Sequence, residues 1–161
     1  MVTCRILVAL LLAARFGGGL RAEEPVPKDL KPLQGTWEIL ADVVDGLEFP
    51  KDLLAKSRVI FAGDQMTQKP ELEVENGTFK LGKADGFTVS VAVDATRDPK
   101  HFDIIVAQAG QKVRAPGIFL LEKEVLKICV NPQARPKEFT SKAGSGNILL
   151  LLRRARKEGT R

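Results

Sequence analysis

Few residues in this chain have both the type and the spacing to do chemistry. His101 is the sole histidine, and Cys129 is one of two cysteines. A cysteine–histidine dyad needs the thiol beside the imidazole and a third group to orient the ring, and nothing in the sequence joins the two. Asp98 and Asp103 flank His101, yet a metal centre needs several ligands to converge. Asp98-Pro99-Lys100-His101 reads as a loop entering a strand, which makes His101 a surface residue. Cys129 lies in the apolar run Leu126–Val130 with no neighbour to lower its pKa, so it reads as a packed thiol. Gly144-Ser145-Gly146 is followed by an apolar strand rather than the helix of a nucleophile elbow. Neither glycine-rich phosphate motif is present. Asn76-Gly77-Thr78 matches a glycosylation sequon, but Asn-Gly between two alternating runs is first a hairpin turn. No catalytic, metal or cofactor residue is expected, and the chain does not read as an enzyme.

The polar stretch Arg135-Pro136-Lys137-Glu138-Phe139 stands between the last two strands. Arg135 and Lys137 have the chemistry to contact an anion or a partner. The plainer reading is that Pro136 and Phe139 pin a loop across one end of the fold and the charges are solvated.

Charge narrows the partner class. The formal charge is +5. Arg5, Arg15 and Arg21 lie in the first 22 residues with no acid, so the 25 bases fall to 22 against 20 acids beyond them. Much of the remaining surplus is the tail Arg153–Arg161, of which residues 155–161 read as a solvated basic end. A balanced body with a basic tail is not a nucleic-acid footprint. Residues 1–22 read as a secretory signal, with Arg5 before the apolar run Ile6–Ala14 and a small-residue exit ending at Ala22. That run is too short to span a bilayer, so no integral span is expected after cleavage. The expected location is secreted or periplasmic. Cys4 would leave with the signal, and one thiol cannot form an internal disulfide. Residues 23–32, with three prolines, read as a linker.

The rest, residues 33–154, is strand-patterned. The stretch Leu33-Gln34-Gly35-Thr36-Trp37 opens it and holds the only tryptophan. Trp37, Ile39, Ala41 and Val43 alternate on one face, with Glu38, Leu40, Asp42 and Val44 on the other. Eight to ten short strands follow, with one short helix near residues 50–57, where Pro50 suits a first turn. Regular short strands with turn signals predict an all-β, antiparallel barrel, whose closure leaves no exposed edge. The run Ile148–Leu152 lacks alternation. It needs cover on both faces, or it offers an apolar patch for self-association through Leu149–Leu152.

Several segments together resemble a known family. Gly35-Thr36-Trp37 is similar to the Gly-x-Trp signature of lipocalins. The fuller order of Leu33–Trp37, Leu126-Lys127-Ile128-Cys129, Arg135–Phe139, Gly144-Ser145-Gly146 and Ile148–Arg154 resembles a lipocalin-like domain family of unknown function, abundant in planctomycete bacteria. The resemblance covers about residues 33–154. Glu122-Lys123-Glu124 departs from it, since the family usually has a Gly-Asp type turn there. The resemblance implies a lipocalin-like barrel closed at its base by Gly35 and Trp37, with Arg153 or Arg154 packed across the indole. The family has no established activity to carry over.

Two kinds of function stay open. An eight-stranded barrel can hold one small ligand or be filled by its own side chains. The candidate inward residues Ile39, Val43, Phe61, Phe79, Val89, Val91, Ile104, Phe119 and Ile128 suit a small hydrophobic molecule or a solid core equally. The first reading is an exported ligand-binding module. The alternative is a filled barrel that serves as a structural or protein-interaction module of the cell envelope.

Overall fold

The structure is a computed structural model and describes residues 25–156. The expected signal segment and residues 157–161 of the tail lie outside the described residues. The chain runs through β1 (Gly35–Val44), β2 (Leu47–Glu48), helix α1 (Lys51–Leu54), β3 (Arg58–Ala62), β4 (Gln65–Lys69), β5 (Leu72–Glu75) and β6 (Thr78–Leu81). It continues through β7 (Phe87–Asp94), β8 (Lys100–Gln108), β9 (Gln111–Ala115), β10 (Gly117–Glu122), β11 (Val125–Val130) and β12 (Ile148–Arg154).

Eight of these strands close into an antiparallel barrel in the order β10-β11-β12-β1-β3-β4-β7-β8. Pairing of Ile118 with His101 and Phe119 with Lys100 returns β8 to β10. The lipocalin-like all-β expectation is therefore the observed fold. Strand β2 folds back on β1, β9 folds back on β8, and β5–β6 forms a separate two-stranded hairpin. Asn76 and Gly77 make the turn of that hairpin with φ of 50° and 74°, the left-handed geometry that tight hairpin turns require. The two ends of the barrel differ, and are called here the base, where β1 begins, and the mouth, where β1 ends.

Two sequence expectations need correction. Residues 28–32 of the expected linker join Leu33 in a 3-10 helix, Lys28–Leu33, whose Leu30 and Leu33 are buried in the core. The prolines there set a tight turn across the base rather than a spacer. The alternation expected along β1 also breaks. A register shift between Ile39 and Ala41 marks a bulge at Leu40, and one extra residue reverses the faces beyond it. Trp37 and Ile39 point inward, but so do Asp42 and Val44. Val43 points outward and pairs with Leu149. Phe79 also leaves the expected wall set, because it belongs to the hairpin and packs on Phe49 with ring centroids 4.8 Å apart. The other expected inward residues lie in the core cluster.

The expected turn at Glu122–Val125 forms without glycine, and Lys123 takes φ of 53°. A non-glycine residue there costs about 1 kcal/mol.

Candidate functional site

The base is a sealed plug. Gly35 sits at φ of 111°, which side-chain-bearing residues rarely adopt. That bend turns the chain from the 3-10 helix into β1 and places Trp37 under the barrel. Trp37 is fully buried, and its indole Nε1 donates to the Leu33 carbonyl at 2.8 Å. Register decides between the two candidate arginines. Arg154 pairs with Trp37 on the inner face, and its guanidinium carbon lies 4.2 Å from the ring centroid. It also donates to the carbonyls of Gln34 (2.9 Å) and Pro32 (2.7 Å) and pairs with Glu124 at 3.1 Å. Arg153 points outward to Glu38. The Gln34 side chain, passed over in the sequence, bonds both backbone groups of Gly63 and so ties the β3–β4 turn to the base. Above the plug, Phe61, Phe102 and Phe119 meet edge to face at 6.2 Å spacings. The lower half of the barrel is thereby filled by its own side chains.

The mouth is built differently. Val44, Val89 and Ile104 on its inner wall are half-buried, as are Leu72, Val74 and Phe79 of the hairpin. Leu47 is 50% exposed and Val113 is 43% exposed, and these are the exposed large hydrophobics among the described residues. Leu47 pairs with Val44, so it continues the inner face of β1 upward. Val113 pairs with Val106, two residues beyond the inward Ile104. Strands β1 and β8 lie on opposite sides of the eight-strand ring. Leu47 and Val113 thus stand on opposite walls at one rim.

Beneath this rim the interior carries two polar side chains. Asp42 and Gln68 are each 7% exposed, and the Gln68 amide is the one polar partner of the Asp42 carboxyl, in a contact that falls short of good hydrogen-bond geometry. Burial raises the Asp42 pKa to about 7, and the nearby Gln68 amide pulls it partly back. Glu71, just after β4, has an unpartnered buried Oε2. Its pKa is raised by burial first and by the Glu73 charge second. None of these three was singled out in the sequence. For Asp42 the trace is the adjacent apolar residues Ile39-Leu40-Ala41 and Val43-Val44 on either side of it, which an unbroken two-residue period does not produce.

The remaining candidates are dispersed. Arg135 is committed to Asp103 at 2.6 Å and to the Gly117 carbonyl, while Lys137 is exposed. The two do not form an anion site. Asp103 is buried on the outer face and also accepts from Arg114 at 2.9 Å. Burial works to raise its pKa, but the Arg135 bond and charge, the Gly117 N–H and Arg114 outweigh it and leave the carboxyl below its ordinary value. His101 and Cys129 both pair with Ile118, from opposite sides of β10. Two strand spacings separate them, roughly 10 Å, which is too far for a dyad. Cys129 is fully buried and donates to the Thr140 carbonyl at 3.5 Å, and burial raises its pKa. Among the described residues, no three His, Cys, Asp or Glu side chains gather as metal ligands. Ser145 donates to the Lys142 carbonyl within a turn.

The non-alternating run of β12 has a structural explanation. Leu150 and Leu152 face the interior, while Leu149 and Leu151 face outward and are half-buried. Leu149, Cys129 and Ile118 follow one another across β12, β11 and β10. The connection 131–147 lies over Ile118 and Cys129, which are fully buried, and leaves Leu149 half-buried; it is held by Arg135, by the Thr140 carbonyl and by Asn131 N–H to the Pro116 carbonyl at 3.0 Å. The expected self-association face therefore reduces to Leu149 and Leu151. Two half-open clefts of about 380 Å³ each lie elsewhere, one beside Ser90 and Ile105 and one between Lys100, Phe119 and Phe139. Neither is lined by Asp42 or Gln68. No helix among the described residues is long and apolar enough to cross a membrane.

Neither a family model, a curated protein nor a solved structure matches the chain.

Proposed function

We propose that this protein is an exported, lipocalin-like binding module that takes one small hydrophobic ligand through the mouth of its barrel. The observation that carries this reading is the rim. Leu47 and Val113, the large hydrophobics left exposed among the described residues, both continue the inner face at the same end. An apolar rim around a mouth with half-buried apolar walls favours entry of an apolar molecule. The hairpin β5–β6 lies across one side of this mouth and pairs with no barrel strand, so its displacement breaks no barrel ladder. Export rests on the signal pattern of residues 1–22, and membership of the planctomycete lipocalin-like family rests on the motif order. Native mass spectrometry of the purified protein beside its denatured mass tests the reading. Extra mass that leaves on denaturation is the expected result. A bare monomer mass would instead favour a barrel that serves as a filled scaffold.

The second reading is an interaction module, and it draws on the outward Leu149 and Leu151. It requires a bare oligomer in the same measurement. Leu149→Lys with Leu151→Lys should then return the oligomer to a monomer, and an unchanged size-exclusion profile would remove that face as the contact.

A further inference from the structure

We propose that the outer edge of β9 is a docking edge, and that it takes an extended segment of a partner protein in which acidic and apolar residues alternate. This goes beyond the ligand reading and stands apart from it, because it uses main-chain groups at the rim rather than the barrel interior.

Among the described residues, β9 pairs with β8 and with no other strand. The chain runs from β9 through Pro116 into β10, and only there does β11 take up the other side, from the pair Gly117 and Val130. The Asn131 N–H bond to the Pro116 carbonyl, at 3.0 Å, is the last of that ladder. The chain then departs into the connection 131–147, and Gln111–Arg114 stay exposed.

The turn fixes which main-chain groups this edge presents. Gln108 and Gln111 pair across Ala109 and Gly110, whose φ of 48° and 78° make a two-residue hairpin turn. The Gln108–Gln111 pair is therefore hydrogen-bonded, and bonded pairs alternate from there. Val113 and Ala115 bond to β8, while the N–H and C=O groups of Lys112 and Arg114 point away from it. These outward groups have no main-chain partner among the described residues. An added antiparallel strand would meet all of them, with one residue opposite Lys112 and the next but one opposite Arg114.

Side chains select the partner. Lys112 and Arg114 share the outer face, and Arg114 stays 60% exposed although it lies 2.9 Å from Asp103, which Arg135 also holds. Val113, on the other face, is 43% exposed. The complementary strand is acidic at the two bonded positions and apolar between them. A second copy of β9, run antiparallel about Val113, would oppose Lys112 of one copy to Arg114 of the other. Like charges directly opposite are destabilising, so this edge resists self-pairing and accepts an acidic strand.

Isothermal titration with the end-blocked peptide Thr-Glu-Val-Glu-Val-Glu-Thr tests the assignment. The expected result is saturable binding that weakens about tenfold in Lys112→Glu, where an attractive pair becomes a repulsive one. Lys112 is exposed, so the variant should melt with the parent. N-methylation of the glutamate amides, which would face β9, should abolish binding, while N-methylation of the valine amides should leave it intact. Binding that tolerates the glutamate methyl groups would be charge attraction alone and would overturn the proposal. Equal affinity for the peptide with lysine in place of glutamate, or an unchanged affinity in Lys112→Glu, would overturn it too. So would the absence of saturable binding, or a parent dimer that excludes the peptide and so places a second copy on this edge.

Discussion

At the base, Trp37, Gln34 and Arg154 pass their hydrogen-bonding atoms to the carbonyls of Leu33, Gly63, Gln34 and Pro32, around side chains that exclude solvent. Towards the mouth, the buried Asp42 carboxyl has only the poorly aligned Gln68 amide to lean on, and Glu71 keeps an unpartnered Oε2, below a rim of exposed Leu47 and Val113. One strand, β1, supplies Trp37 to the first region and Asp42 to the second. The difference lies in what surrounds each residue. The base groups are satisfied locally, by a 3-10 helix and a last strand that bring carbonyls to fixed positions. The mouth groups come from strands that diverge, because β3 begins only opposite Glu38 and leaves the upper part of β1 to β2 and α1. Stability is concentrated at one end and unmet chemistry at the other, a division in which binding sites draw on the less stable part of a fold.

Substitution at the two ends should therefore have opposite signs. Trp37→Ala should cost the most, about 3–5 kcal/mol, since it empties the centre of the plug. Urea unfolding checks this, and an unchanged midpoint would remove Trp37 from the core. Asp42→Asn should act in the other direction. The folded pKa of Asp42, about 7, lies above the unfolded value of 3.8. The native state thus holds a proton that the unfolded chain has lost, and stability falls as pH rises through that window. The neutral amide removes this slope and should raise stability at pH 8 by on the order of 2–4 kcal/mol. Parallel slopes in parent and variant between pH 4 and pH 7 would show that Asp42 is solvated in the folded protein.

Smaller effects sharpen the contrast within each region. Arg154→Ala should cost about 1–2 kcal/mol through the lost ring contact and its carbonyl bonds. Arg153→Ala, on the solvent side of the same strand, should leave the melting midpoint where it is. Similar shifts for the two would mean that the register at the end of β12 differs from the one described. Smallest of all, Leu47→Ser and Val113→Ser should leave stability within about 0.5 kcal/mol, because neither side chain is buried. Under the ligand reading they should weaken uptake of an apolar probe, and loss of stability with uptake intact would reverse the roles assigned to rim and base.

Much of this architecture was legible in residue order. Asn76-Gly77 announced its hairpin, and alternation announced the start of β1, while the basal plug was implied by the resemblance that Gly35-Thr36-Trp37 carries. Turn chemistry and the two-residue period act over a few neighbours, so a single sequence carries them. Strand β9 carries little signal in the sequence, because Gln-Lys-Val-Arg-Ala has one large apolar residue, Val113, beside the small Ala115, and its pairing depends on β8. Arg135 was read as a loop charge because its partner, Asp103, lies 32 residues away.

The sequence by itself determined the strand-rich class, the turns, the apolar set that fills the barrel, and the tryptophan around which the base is sealed. Those features follow from local backbone preference and from the pattern of side chains along each strand. Only the tertiary structure decided which of Arg153 and Arg154 covers Trp37, that the connection 131–147 lies over Ile118 and Cys129 and leaves Leu149 half-buried, and that Asp42 faces inward. Each depends on register between strands far apart in the chain. A single bulged residue reverses a face without changing the composition of the strand that carries it.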